Sequence, residues 1–89
     1  MNLDKASILA AIRQEIGKLA EALGADAADL QSDELIPASG LIDSAALLEL
    51  IAWFESHYEL RIGADDFTVD KLGTMDAMAD YLRQRKGLA

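Results

Sequence analysis

Cysteine is absent from the sequence, proline and histidine occur once each, and neither lysine nor arginine stands anywhere from Leu19 to Leu60. Without cysteine the chain can form no disulfide and offers no thiolate to a metal or a substrate. With His57 as the single histidine, metal sites built from Cys and His are excluded as well. No apolar run approaches the roughly 20 residues that cross a bilayer. The first sixteen residues carry Asp4, Lys5, Arg13 and Glu15, so they hold no uninterrupted apolar region of the signal-peptide kind. A soluble, cytoplasmic protein is expected. A single domain, residues 1–89, is expected too, because 89 residues leave no room for a second core. Apolar residues make up 52% of the chain and charged ones 27%, the balance of a globular rather than a disordered protein.

The charge is unevenly spread. Between Leu19 and Leu60 stand nine acids, Glu21, Asp26, Asp29, Asp33, Glu34, Asp43, Glu49, Glu55 and Glu59, whereas the rest of the chain holds eight basic and seven acidic residues. Such a field repels phosphate backbones and anionic membranes and attracts proteins that present Lys and Arg. Nucleic acid and lipid surfaces are therefore not expected partners.

Hydrophobic spacing predicts helices and no strand. Ile8, Ile12, Ile16, Leu19 and Leu23 form one stripe, Asn2 or Asp4 can cap its start, and Gly24 is placed to end it. Residues 25–43 have no clean period; they contain Ser32, Asp33, Pro37, Ser39 and Gly40, with Leu30, Leu35 and Ile36 as expected anchors onto the core. A second helix is predicted from about Ser44 to Tyr58, with Leu47, Leu50, Ile51, Phe54 and Tyr58 on its core face and Asp43 as N-cap. A short helical turn is expected near Ala64 to Val69, with Phe67 and Leu72 pointing inward. The last helix is predicted to start at the cap residue Thr74, with Met75, Met78, Ala79 and Leu82 as its stripe and Arg83, Arg85 and Lys86 at its negative end. The fold class is all-α: a three- to four-helix bundle with a long loop between helices one and two.

Most catalytic chemistry is excluded by spacing. His57 lies thirteen residues beyond Ser44 on the same predicted helix, roughly 20 Å away at a rise of about 1.5 Å per residue, so the two cannot form a nucleophile–base pair. The nearest approach to a calcium loop starts at Asp66, with Thr68 and Asp70 following, but Lys71 and Ala77 stand where Gly and Glu are required. No phosphate-binding glycine loop occurs. Neither a catalytic residue nor a metal site is expected. What remains is the segment Gly40-Leu41-Ile42-Asp43-Ser44-Ala45-Ala46-Leu47-Leu48-Glu49-Leu50. A serine in the first turn of a helix is exposed beside unpaired backbone N–H groups and the positive dipole end, where a phosphate ester is favoured. Taken alone, Asp43-Ser44 reads as a plain helix cap, since Asp-Ser before an apolar run is common.

The wider context resembles one family. Gly-Leu-Ile-Asp-Ser followed by Leu47, Leu48 and Leu50 is similar to the attachment motif of acyl and peptidyl carrier proteins. The likeness continues through Phe54-Glu55 and Tyr58-Glu59-Leu60-Arg61-Ile62 to Thr74-Met75-Asp76-Ala77-Met78-Ala79-Asp80-Tyr81-Leu82, nearly the whole chain. The resemblance implies a right-turning bundle of three main helices and one short one. It implies that Ser44 is esterified by 4′-phosphopantetheine from coenzyme A, with Asp43 as the motif acid that helps present it. The arm's thiol would then carry acyl or aminoacyl cargo as a thioester, leaving the chemistry to cofactor and partner enzymes. Implied partners are a phosphopantetheinyl transferase, an acyl- or aminoacyl-loading ligase, and downstream enzymes of fatty-acid, polyketide, peptide or related biosynthesis that present basic docking patches. They would meet the outward helix face of Ala45, Leu48, Glu49, Ala52 and Glu55, and the carrier is expected to be a free-standing monomer. Ala45 and Ala46 replace the larger aliphatic and the acid common in fatty-acid carriers, and the Gly40-to-Ser44 spacing is closer to D-alanyl and peptidyl-type carriers. Trp53, on the flank of the helix between Glu49 and His57, is expected to pack against the last helix or a loop. The alternative is an unmodified acidic helical module that binds a basic partner; the two readings differ in whether Ser44 accepts the arm.

Overall fold

A computed structural model describes residues 3–88; the expected alternative cap Asn2 lies outside the described residues. The elements among them are helical: α1 (Lys5–Ala22), α2 (Ile36–Ser39), α3 (Ser44–His57), α4 (Val69–Leu72) and α5 (Met75–Arg85), with a 3₁₀ turn at Ala64–Asp66. The long helices α1, α3 and α5 are the three predicted from spacing. The long loop is interrupted by α2, so Ser39 stands in a helical turn rather than in loop. The turn expected near Ala64 to Val69 is divided into the 3₁₀ turn and α4.

Each long helix is closed by side-chain and turn chemistry. Asp4 caps α1, its carboxylate accepting from the Ser7 N–H at 3.1 Å and from the Ser7 hydroxyl at 2.8 Å. Those bonds hold the Asp4 carboxyl below the usual carboxylate range. At the other end Gly24 takes φ +77°. It lets the Ala25 N–H reach the Ala20 carbonyl at 2.8 Å and its own N–H reach Glu21 at 3.0 Å, which satisfies carbonyls the helix leaves free. The end of α3 has the same bonding, Leu60 to Glu55 at 2.9 Å and Glu59 to Ser56 at 3.4 Å. There the left-handed residue is Glu59, at φ +52°. Thr74 caps α5 through the Ala77 N–H at 2.9 Å, and Arg83 and Arg85 occupy its last turn.

One apolar cluster joins all three helices. Helix α1 packs against α3 and α5, and α4 packs against α5. The core combines Ile8, Ile12, Ile16 and Ala20 of α1, Ala46, Leu50, Ile51 and Phe54 of α3, and Met75, Met78, Ala79, Tyr81 and Leu82 of α5. Three expectations about this core change. The α1 stripe continues in steps of four to Ala20, so Leu19 is only half-buried and Leu23, past the last turn, is 50% exposed. Leu35 is exposed, as the cap residue just before α2, while Leu30 and Ile36 are buried in the core cluster. Phe67 is 46% exposed rather than inward. It sits where the 3₁₀ turn ends, and no helical period directs it to the core. Helix α3 ends at His57, with Tyr58 as its buried cap residue.

The loop from α1 to α3 is held by specific bonds rather than by periodic packing. Arg13 donates to the Leu30 carbonyl at 2.7 Å. The Asp76 N–H donates to the Ser32 carbonyl at 2.9 Å, and the Ser32 hydroxyl donates to Asp76 Oδ2 at 3.1 Å. The Ile36 N–H donates to the Gly73 carbonyl at 2.8 Å, which docks α2 onto the junction of α4 and α5. A side chain at Gly73 would collide with the Val69 carbonyl, so this junction admits no larger residue. Asp66 ties the 3₁₀ turn to α5. It accepts from the Tyr81 hydroxyl at 2.7 Å and pairs with Lys71, while Arg85 donates to the same hydroxyl. The Lys71 and Tyr81 bonds hold the Asp66 carboxyl below its ordinary range.

Candidate functional site

Asp43 is extended, at φ −89° and ψ −177°, and its Oδ1 accepts from the Ala46 N–H at 2.8 Å. Its carbonyl accepts from the Leu47 N–H at 2.9 Å. Asp43 is thereby spent on closing the helix, and Ser44 becomes the first residue of α3. The Ser44 side chain is exposed and its hydroxyl is bonded to no other described residue. The other serines differ. The hydroxyls of Ser7, Ser32 and Ser39 are engaged by Asp4, Asp76 and the Ile36 carbonyl. Ser56 is exposed but lies in the last turn of α3, at its negative end.

The group implied by the resemblance is joined through a phosphate, and the residues present fit one. The first-turn N–H groups of Ser44 and Ala45 find no acceptor among the described residues. They stand at the positive end of a fourteen-residue helix, where an anion is favoured. The cap bond holds the Asp43 carboxylate on the Ala46 N–H, so it does not engage the serine hydroxyl. Ser44 and His57 occupy opposite ends of α3. His57 instead stacks on Trp53, with ring centroids 4.9 Å apart. Trp53 is half-buried against the core and touches Phe54 and Tyr58 edge-on or tilted; it also lines a shallow surface pocket with Ala11, Gln14 and Lys18 of α1. Among the described residues no cluster of His, Cys, Asp and Glu could hold a metal ion, and no helix is long and apolar enough to cross a membrane.

Of the outward-facing residues named from the sequence, Ala45, Leu48, Glu49 and Ala52 are exposed. Leu48 is 63% exposed, an isolated apolar knob one turn from Ser44. Glu55 differs. It is half-buried and its Oε2 accepts from the Ile62 N–H at 2.8 Å, pinning the chain that follows α3 back onto the helix. Its first duty is structural. Sequence reasoning missed this bond because its partner is a backbone group seven residues away. It also missed an apolar cleft of about 170 Å³ between α3 and the α4 segment, lined by Pro37, Leu47, Ile51, Phe67, Val69 and Leu72 among others. Phe67 and Val69, both part-exposed, contribute to its lining.

A family model described as "Phosphopantetheine attachment site" matches residues 16–82, most of the chain. No curated protein and no solved structure matches it. The chain belongs to the phosphopantetheine-attachment family, with the all-helical fold of its carrier proteins and 4′-phosphopantetheine as the covalently bound prosthetic group.

Proposed function

We propose that this member of the phosphopantetheine-attachment family is a non-catalytic carrier whose arm is joined to Ser44 and whose cargo is acyl or aminoacyl. The observation that supports the site is the Ser44 hydroxyl itself: exposed, unbonded and set beside free backbone N–H groups at the start of a capped helix. In the attachment step Ser44 Oγ attacks the phosphorus of coenzyme A that bears the pantetheine. The bond from that phosphorus to the adenosine-bearing phosphate breaks, adenosine 3′,5′-bisphosphate leaves, and the serine proton passes to a base of the transferase. Ser44 ends as a phosphodiester. Asp43 fixes the first turn, and the N–H groups of Ser44 and Ala45 favour the negative charge beside it. Once bound, the arm supplies a terminal thiol that holds cargo as a thioester, chemistry a cysteine-free chain lacks.

The docking surface in this reading is Ala45, Leu48, Glu49 and Ala52. Leu48 offers an apolar contact, and Glu49 steers basic patches on the transferase, the loading ligase and downstream biosynthetic enzymes. The reading includes a cytoplasmic, monomeric carrier. Incubation with coenzyme A, magnesium and a broad-specificity phosphopantetheinyl transferase should add one phosphopantetheine mass, mapped to the peptide containing Asp43 and Ser44. Ser44→Ala should abolish the addition and leave the melting temperature nearly unchanged, because Asp43 still caps the helix and an exposed hydroxyl contributes little. A wild-type chain left unmodified by several transferases would overturn the site and favour an unmodified acidic module for a basic partner. Addition that persists in Ser44→Ala would keep the carrier and move the site.

A further inference from the structure

We infer that Ser39 is a positioning residue for Ser44, acting through the short link from Gly40 to Asp43. The inference rests on the reading of Ser44 as the attachment residue. Helix α2 is four residues long, too short to hold its geometry by its own backbone bonds. It is fixed from outside at its start and clamped by a side chain at its end. At its start the Ile36 side chain is fully buried, the Ile36 N–H is bonded to the Gly73 carbonyl at 2.8 Å, and Pro37 restricts the first turn. At its end the Ser39 hydroxyl donates to the Ile36 carbonyl at 2.6 Å and accepts from the Leu41 N–H at 3.3 Å. Between those two bonds Gly40 turns at φ +75°, a conformation that costs glycine nothing.

One hydroxyl therefore locks the exit of α2 on both sides of the turn. Beyond Leu41 only Ile42, buried, and Asp43, the cap, separate this lock from Ser44. Ser39 is half-buried and its hydroxyl is already engaged, so its part is to set where the link begins. Ile42 and Asp43 hold the other end of the link. Losing the Ser39 hydroxyl therefore leaves α3 folded, yet frees the Leu41 N–H and widens the set of orientations in which Ser44 meets an attacking geometry. A transferase that docks on Leu48 and Glu49 still binds such a chain. It reacts less often per encounter, so the loss falls on kcat rather than on KM.

The test compares the full-length wild type with Ser39→Ala and Ser39→Thr in steady-state modification by a phosphopantetheinyl transferase. Amide exchange at Leu41, whose N–H is bonded to the Ser39 hydroxyl, is measured alongside. Ser39→Ala should lower kcat about three- to tenfold with KM within about twofold. Exchange of the Leu41 amide should quicken, and Ser39→Thr, which keeps the hydroxyl, should restore both. An unchanged kcat in Ser39→Ala, a rise in KM alone, or a threonine variant as slow as alanine would overturn the inference. If the wild type accepts no arm, the reading of Ser44 falls by itself. The exchange data then decide the Ser39 link, which unchanged protection in Ser39→Ala would overturn.

Discussion

Phe54 is the largest fully buried side chain of α3, the helix that begins at Ser44. Its side chain is fully buried in the cluster shared by Ile12, Ile16, Met78 and Leu82. It meets the Tyr58 ring nearly edge-on, with centroids 5.4 Å apart and planes at 69°. Truncation to alanine removes the whole ring from a close-packed site. The lost burial and the residual cavity together cost about 3–5 kcal/mol, and the lost edge contact belongs within that figure. At roughly 0.05–0.15 kcal/mol per residue, a chain of 89 residues has a total stability of about 4–13 kcal/mol. Phe54→Ala therefore removes a large share of it, and Phe54→Leu, which keeps most of the volume, should cost about 1–2 kcal/mol. Urea unfolding followed by helical circular dichroism and by Trp53 fluorescence measures both. The indole lies 6.5 Å from the Phe54 ring and reports the same site. The alanine variant should show a lower midpoint with an unchanged slope, the mark of lost stability rather than a changed denatured state. A cost below about 1 kcal/mol for Phe54→Ala would mean that this ring does not organise the core.

Glu59 occupies a left-handed position that favours glycine. Glu59→Gly should therefore stabilise the chain by about 0.5–1 kcal/mol after glycine's own entropic cost, seen as a higher melting temperature; an equal or lower one would refute the strain. Glu49→Lys should slow modification at low ionic strength and leave the melting temperature alone, since Glu49 is exposed and makes no bond. Glu55→Lys should instead lower stability by about 1–2 kcal/mol, through the lost bond to Ile62; equal melting temperatures for the two variants would argue against a structural duty for Glu55. The Asp66 carboxyl is held below its ordinary range by Lys71 and Tyr81. Its contribution is therefore present above the unfolded value near about 4 and is lost as pH falls through the folded one. Acid unfolding should be shallower in Asp66→Asn, and superimposable acid limbs would refute the linkage.

The long helices were legible in the sequence because each repeats a physical pattern along a single element. Ile8, Ile12 and Ile16 recur every four residues, and Leu50, Ile51 and Phe54 share one face. The caps Asp4, Asp43 and Thr74 each precede an apolar run, and Gly24 follows one. The same locality made Ser44 visible as a first-turn serine behind a capping acid. The errors came where hydrophobicity was read without angle or partner. Leu19 and Leu23 looked better than Ala20, yet Ala20 lies on the i+4 line from Ile16. Leu35 and Phe67 looked inward-facing, yet both are cap residues just outside short helices, where no period selects a face.

The sequence by itself determined the three long helices, their order and the first-turn position of Ser44, because propensity, capping and amphipathic spacing act within one or two turns. Only the tertiary structure decided how that serine is held. The Ile36–Gly73 and Ser32–Asp76 bonds, the Glu55–Ile62 bond and the Asp66–Tyr81 pair join groups separated in sequence by seven to 44 residues. No spacing rule announces such partners, since a backbone N–H or carbonyl looks alike at every position. They become partners only when the packed core brings them within hydrogen-bond reach, where leaving them unpaired would cost more than pairing them.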